Sequence, residues 1–224
     1  MPGLKRHYPD ITFSANKVSP DEVDRYEIYP IIHPTDSLTW IGTCAGGTSA
    51  QAKALVLINK LADYPRNLAV SVVGTNDVGG SMTVNGKDQF GVSISETIGA
   101  GTAAKGTPAF VAYGTKIFSE VTSGTFTFAA GSAGSGSAQL GFGSVGTSTY
   151  FGLPTKIAST ADVKGINYSL GGTQTTFNGG TIGAYVSTSV HAIQPIADVK
   201  PDQVYVVTFK PTYDAANENV MANR

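Results

Sequence analysis

Short runs of β-branched and aromatic residues, each closed by glycine, repeat along this chain from Asn67 to Phe209. Such punctuation favours strands and tight turns over long helices. Glycine destabilises helix interiors and supplies the positive φ that turns require. There are 27 glycines among 224 residues, well above the ordinary usage of roughly 7%.

The runs alternate as half-buried strands do. Asn67–Gly74 (NLAVSVVG) places Leu68, Val70 and Val72 on one face. TNDVGG (75–80) reads as a turn, and Ser81–Val84 returns with Met82 and Val84 facing together. Phe90, Val92, Ile94 and Glu96 then alternate with Gly91, Ser93, Ser95 and Thr97. Asn85-Gly86 is a type I′ hairpin signal, so residues 67–98 are expected to form a three-stranded meander. Lys116–Val121 and Thr125–Phe128 are expected as separate strands broken at Ser123-Gly124. Leu140–Phe142, Tyr150–Leu153, Val163–Leu170, Thr175–Phe177, Gly183–Val190 and Val204–Phe209 follow. Residues 51–64 fit either a buried strand at Ala54–Ile58 or a short helix. The expected fold is all-β, an antiparallel β-sandwich of immunoglobulin-like or jelly-roll-like type. Alternation argues against a parallel sheet. The absence of αβ alternation argues against nucleotide-binding α/β folds.

Residues 1–40 have a different character. Pro2, Pro9, Pro20, Pro30 and Pro34 oppose long helices and central strands. Ser19–Tyr29 can start a short helix, with Ser19 as N-cap and Pro20 in the first turn. The rest reads as an extended arm carrying the anchors Tyr26, Ile28, Tyr29, Ile31, Ile32 and Trp40, which suit burial against a partner. The expected organisation is an arm at 1–40, a β-sandwich domain at 41–213 and a flexible tail at 214–224. Ala129–Ser137 (AAGSAGSGS) is a low-complexity, flexible stretch.

Fifteen basic and sixteen acidic residues leave a net charge of −1. Lys5, Arg6 and His7 form the only basic cluster, so no nucleic-acid surface is expected. No apolar run approaches the roughly 18 residues of a membrane span, and MPGLKRHYPD has no secretory core. The expectation is a protein made in the cytoplasm with no membrane association.

Candidate chemistry is thin. Cys44 is the single cysteine and is expected to be an inert thiol rather than a nucleophile paired with His33 or His191. His33 and Asp36 share the Pro-bounded IIHPTD, where a structural role is expected over acid–base or metal work. The carboxylates Asp21, Glu22 and Asp24, and Asp198 and Asp202, single out no glycosidase pair. Asn76-Asp77 and Asn85/Asp88 read as turns, since they lack calcium-loop spacing. IGTCAGGTSA (41–50) lacks the lysine of a phosphate loop, and no G-x-S-x-G elbow occurs. No catalytic residue, cofactor or metal is assigned.

The string beginning at Asp63, DYPRNLAVSVVGTNDVGGSMTVNGKDQFGVSISETI, resembles a segment of many tailed-phage virion proteins. There a PRN strand start leads to a hairpin like GKDQFG and a strand containing SET. YGTKIFSEVTS (113–123), LGFG (140–143) and GLPTKI (152–157) continue the pattern, which covers roughly residues 60–160. The resemblance implies a capsid decoration (cement) protein or another head or neck component, with no catalytic residues. It implies as partners the major capsid protein or other virion proteins and copies of the chain itself. The alternatives are a neck, tail or fibre subunit, or a carbohydrate-binding adhesive β-module.

Overall fold

The computed structural model describes residues 27–32, 36–46, 50–73, 79–100, 110–131, 136–143, 148–170, 173–176, 185–194 and 204–209. Within these residues the protein is all-β, apart from one 3-10 turn at Thr160–Asp162. Every ladder is antiparallel.

The strands form three sheets. One has the order β1 (Glu27–Ile32), β17 (Val204–Phe209), β13 (Val163–Leu170), β14 (Thr173–Thr176). The largest runs β15 (Val186–Ser187), β16 (Ala192–Ile193), β12 (Phe151–Gly152), β5 (Leu61–Arg66), β10 (Phe118–Phe128), β7 (Gly80–Lys87), β8 (Ser93–Ala100). β3 (Ala52–Ala54) joins it against the C-terminal part of β10. The third has the order β4 (Val56–Leu57), β2 (Ser37–Ala45), β11 (Ser137–Phe142), β6 (Ala69–Val73), β9 (Phe110–Tyr113).

Two cores result. The first draws Ile41 and Cys44 from β2, Val70 and Val72 from β6, Leu140 and Phe142 from β11, and Met82, Val84, Phe118, Phe126 and Phe128 from the largest sheet. The second gathers Tyr29 and Ile31 from β1, Phe151 from β12, Val163 and Ile166 from β13, Ile193 from β16 and Val207 from β17. Burying each large side chain contributes about 1.5–3 kcal/mol, so these clusters carry the fold.

β10 is the spine of the largest sheet. Its buried residues are Phe118, Val121, Gly124, Phe126 and Phe128, a sequence that breaks strict alternation. The ladder absorbs the break by shifting register at Phe118/Glu120 against β5 and at Val121/Ser123 against β7. Such bulges let one strand present apolar residues of both phases inward. The two strands expected at 116–121 and 125–128 are therefore one continuous strand, with Ser123-Gly124 inside it.

Several other local expectations are corrected by long-range pairing. Asn85-Gly86 is not a turn but lies within β7, opposite Ser123 and Val121 of β10. Gly86 is needed for close approach, because a Cβ there would collide with the Glu120 carbonyl and lie 2.9 Å from Phe118 Cδ1. The chain reverses instead at Asp88–Gly91. Asp88 Oδ1 accepts from the N–H groups of Phe90 (2.9 Å) and Val92 (2.8 Å), and Gly91 adopts φ +81°. The 67–98 meander does not form, because β6 pairs with β11 and β9 while β7 pairs with β8 and β10. Residues 51–64 resolve into β3, β4 and most of β5. Leu55 N–H bonds the Gly124 carbonyl at 2.8 Å and the chain then crosses to β2 in the third sheet. The expected strand at 183–190 contracts to β15.

The expected arm is also redrawn where it is described. Glu27–Tyr29, the end of the expected helix, lies in β1, and Pro30 is accommodated there because β1 is an edge strand. The boundary at residue 40 falls inside β2, which pairs with β11 and β4. Residues 1–26, 33–35 and the 214–224 tail lie outside the described residues.

The strand assignment at Asn85 is testable. Its side chain is exposed and its Nδ2 donates to Ser123 Oγ at 3.2 Å. Asn85→Thr is expected to change unfolding free energy by no more than about 0.5 kcal/mol in urea denaturation, because a β-branched residue suits an exposed strand position. A loss well beyond that would mean a positive-φ turn at this position.

Candidate functional site: a polar hub and an apolar strand edge

The arm anchors whose side chains are described do not share one surface. Tyr26 lies outside the described residues. Tyr29 and Ile31 point into the second core, with Tyr29 edge-on to Tyr64 at 6.4 Å between ring centroids. Ile28 points outward from the opposite face of β1 and is 37% exposed. Ile32 ends β1 opposite Val204. Trp40 is half-buried against the first core, and its Nε1 donates to the Leu61 carbonyl at 3.4 Å.

The segments that carry the phage resemblance do converge. Arg66 of the PRN string is fully buried. Its guanidinium lies 3.5 Å from the centroid of Phe142 and 5.6 Å from that of Phe151, one ring from each core. Asp63 Oδ1 is 3.2 Å from Nε. Burial lowers the Arg66 pKa to about 10, with Asp63 opposing that effect, so the group remains a cation at neutral pH. A planar, weakly hydrated cation over an aromatic face suits such a site better than an ammonium would.

Asn67 is equally enclosed, with 3% exposure. Its Nδ2 donates to the carbonyls of Gly114 (2.7 Å) and Ser148 (2.8 Å), and its Oδ1 accepts from Tyr150 N–H at 2.8 Å. Its own N–H bonds the Tyr150 carbonyl at 3.2 Å. Glu96 of the SET string reaches the same turn from β8. Its Oε1 accepts from Thr115 N–H (2.7 Å) and Thr115 Oγ1 (2.9 Å), and its Oε2 from Lys116 N–H at 3.2 Å. Lys116 Nζ in return donates to the Ser95 carbonyl at 2.7 Å. PRN, SET and YGTK thus form one hub joining β5, β8 and the turn after β9. Its chemistry is architectural: apart from the Thr115 hydroxyl on Glu96, the polar contacts described satisfy backbone groups or an ion pair. The resemblance singled out these strings, but partners 47, 81 and 83 residues from Asn67 have no local sequence cue.

The other candidates occupy ordinary structural positions where they are described. Cys44 is buried in the first core, and burial raises its thiol pKa, which disfavours the reactive thiolate. Asp88 spends Oδ1 on its own turn. His191 packs edge-on to Phe90. His7, His33, Asp21, Glu22, Asp24, Asn76, Asp77, Asp198 and Asp202 lie outside the described residues. Among the described residues no three His, Cys, Asp or Glu side chains gather to hold a metal. No helix among them is long and apolar enough to cross a membrane.

Sequence reasoning missed one surface feature. Val56, Ile58 and Leu61 are 68%, 60% and 66% exposed. Val56 lies in β4 at the edge of the third sheet, Ile58 in the link that follows, and Leu61 at the start of β5 in the largest sheet. The segment is anchored, not loose: Ile58 N–H bonds the Ile41 carbonyl at 2.8 Å and Asn59 Nδ2 the Trp40 carbonyl at 2.9 Å. Leu55–Ile58 are four consecutive apolar residues, so no periodicity in the sequence marks Val56 and Ile58 as the ones facing out.

No family model matches the chain, no curated protein is significantly similar to it, and no solved structure matches its fold.

The hub makes a comparative prediction. Asn67→Ala strands two carbonyls and an N–H in a closed site and is expected to cost about 3 kcal/mol or more. Arg66→Met keeps an apolar stem between Phe142 and Phe151 and removes a buried charge, so its cost is expected below about 1.5 kcal/mol. Equilibrium denaturation of both variants checks the order.

Proposed function

We propose that this chain is a non-enzymatic structural component of a tailed-phage virion, made in the host cytoplasm. Its role is that of a capsid decoration protein bound to the major capsid protein lattice in many copies. The finer fold reading that goes with this is a β-sandwich of immunoglobulin-like or jelly-roll-like type, preceded by an extended Pro-rich arm. The observation that carries the proposal is the convergence of PRN, SET and YGTK on one hub, buried at Arg66 and Asn67 and exposed at Thr115 and Lys116. On this reading the strings that resemble those of virion proteins mark a scaffold, and the work of the protein lies on its surfaces.

On this reading the action is mechanical, a clamp between neighbouring subunits. The exposed strip of Val56, Ile58 and Leu61 beside the β4 edge is the described surface that a neighbour would cover. One such strip is small, but repetition over a lattice multiplies weak contacts by avidity. Residues 1–26, with Tyr26, extend the reach of each copy. Because residues 27–32 are integral to a sheet, the clean test of the arm removes residues 1–26 and leaves β1 intact.

Cryo-electron microscopy with quantitative mass spectrometry of the virion that encodes the chain tests the proposal. The expected result is density on the icosahedral shell and a copy number in the hundreds. About six to twelve copies on the portal–tail axis would replace the decoration role with a neck or tail role. Absence from purified particles, with saturable glycan binding by the isolated protein, would replace the virion reading with an adhesive module.

A further inference from the structure

β15 and β16 contribute two residues each to the largest sheet, too few for main-chain pairing to hold them. His191 supplies much of the remaining attachment from a left-handed backbone, φ 48°. Its carbonyl accepts from Leu153 N–H at 2.8 Å and from Gln89 Nε2 at 3.4 Å. The same Gln89 amide reaches the Val190 carbonyl at 2.8 Å. The His191 ring meets Phe90 edge-on with centroids 5.6 Å apart, and its Nδ1 accepts from Ile157 N–H at 3.3 Å. One residue therefore ties together the 88–91 turn, the chain leaving β12 and the loop before the 3-10 turn.

That arrangement requires a neutral ring. Nδ1 accepts a hydrogen bond only while unprotonated, and in the imidazolium both nitrogens are donors. Protonation would set an N–H against the Ile157 N–H. The charged groups facing the ring are Lys156, which opposes a second positive charge, and Asp88, which favours it. Tyr185 is a further titratable residue on the ring's own segment, where its carbonyl accepts from Gln194 N–H at 2.8 Å. Burial, and then Lys156, lowers the His191 pKa below its usual value, while a backbone hydrogen bond with Ile157, and then Asp88, act to raise it.

We propose that His191 is an acid-opened clasp, which at neutral pH holds β15–β16 against β12 and on protonation releases them. Release uncovers Phe151 and Ile193, both fully buried in the closed form. It also frees one edge of β12, the kind of edge to which a neighbouring strand can add. The clasp rests on geometry within this chain and is independent of the virion reading.

The sign follows from linkage. A histidine whose pKa is lower in the closed form than in the open one stabilises closure above the open-form value, about 6.5. That stabilisation is lost as pH falls through the closed-form value. Hydrogen exchange of the full chain, corrected for the intrinsic pH dependence of exchange, is followed from about pH 7.5 to about pH 5. Protection of peptides covering 150–157 and 185–194 is expected to fall below about pH 6.5, by up to about tenfold per pH unit. Peptides from β6 and β10 are expected to hold. His191→Asn keeps an acceptor and tolerates the left-handed backbone, so its profile is expected to be flat. A flat wild-type profile, or an Asn variant that responds to pH as the wild type does, overturns the clasp. An NMR titration of the wild-type ring decides independently of any variant: a midpoint at or above about 6.5 overturns it.

Discussion

The fold depends on an amide closed inside it, beside a buried cation. Arg66 and Asn67 sit where β5 ends and the two cores meet, and neither can be solvated there. Burying an unpaired guanidinium would cost several kcal/mol. Asp63 at 3.2 Å and the face of Phe142 at 3.5 Å offset that cost. Asn67 offsets its own by bonding backbone groups at 114, 148 and 150 that would otherwise be short of partners. Low dielectric strengthens each of these bonds and makes the loss of any one expensive. The hub therefore specifies which loops lie together, beyond what apolar packing requires.

This division of labour explains how such short strands persist. β12, β15 and β16 have two residues each, and a ladder of that length is marginal in water. They are held by side chains bonded to backbone from outside the ladder: Asn67 to the residues before β12, Gln89 to Val190, and His191 to Ile157. The Asp88 turn that aims Gln89 is in turn fastened by Ser119 Oγ, which donates to the Asp88 carbonyl. A chain rich in glycine and serine can thus form ordered corners where main-chain pairing alone could not.

The same physics set the limits of what could be read from sequence. Val163–Leu170 and Val204–Phe209 were legible to the residue because alternation and β-branching are local. The all-β, antiparallel character followed from the same signals. Pairing was not legible. Asn85-Gly86 has turn chemistry, yet β8 on one side and β10 on the other hold it extended, and the glycine serves close packing instead. The 67–98 meander failed because β6 found β11 some seventy residues onward, at Val70↔Leu140. The burial of Arg66 was not legible, since Pro65 and Asn67 beside it look like an exposed turn. Its stacking partners at 142 and 151 belong to strands that the sequence placed but could not orient.

Edge strands give the last link between fold and role. A free edge invites association, and proteins that must stay apart protect it. Two edges here carry such protection: Pro30 interrupts β1, and Lys116 occupies the Ser95 carbonyl on β8. The outer face of β7, β8 and β10 is polar, with Thr83 and Thr97 hydroxyls 3.0 Å apart and Lys87 paired to Glu120 at 2.9 Å. At β4 the chain instead presents Val56 and Ile58 to solvent. An apolar strip left open beside one edge, on a molecule that guards the edges at β1 and β8, is costly for a solitary protein. It is economical for one whose working state is a lattice, because the contact that hides it is supplied by the assembly.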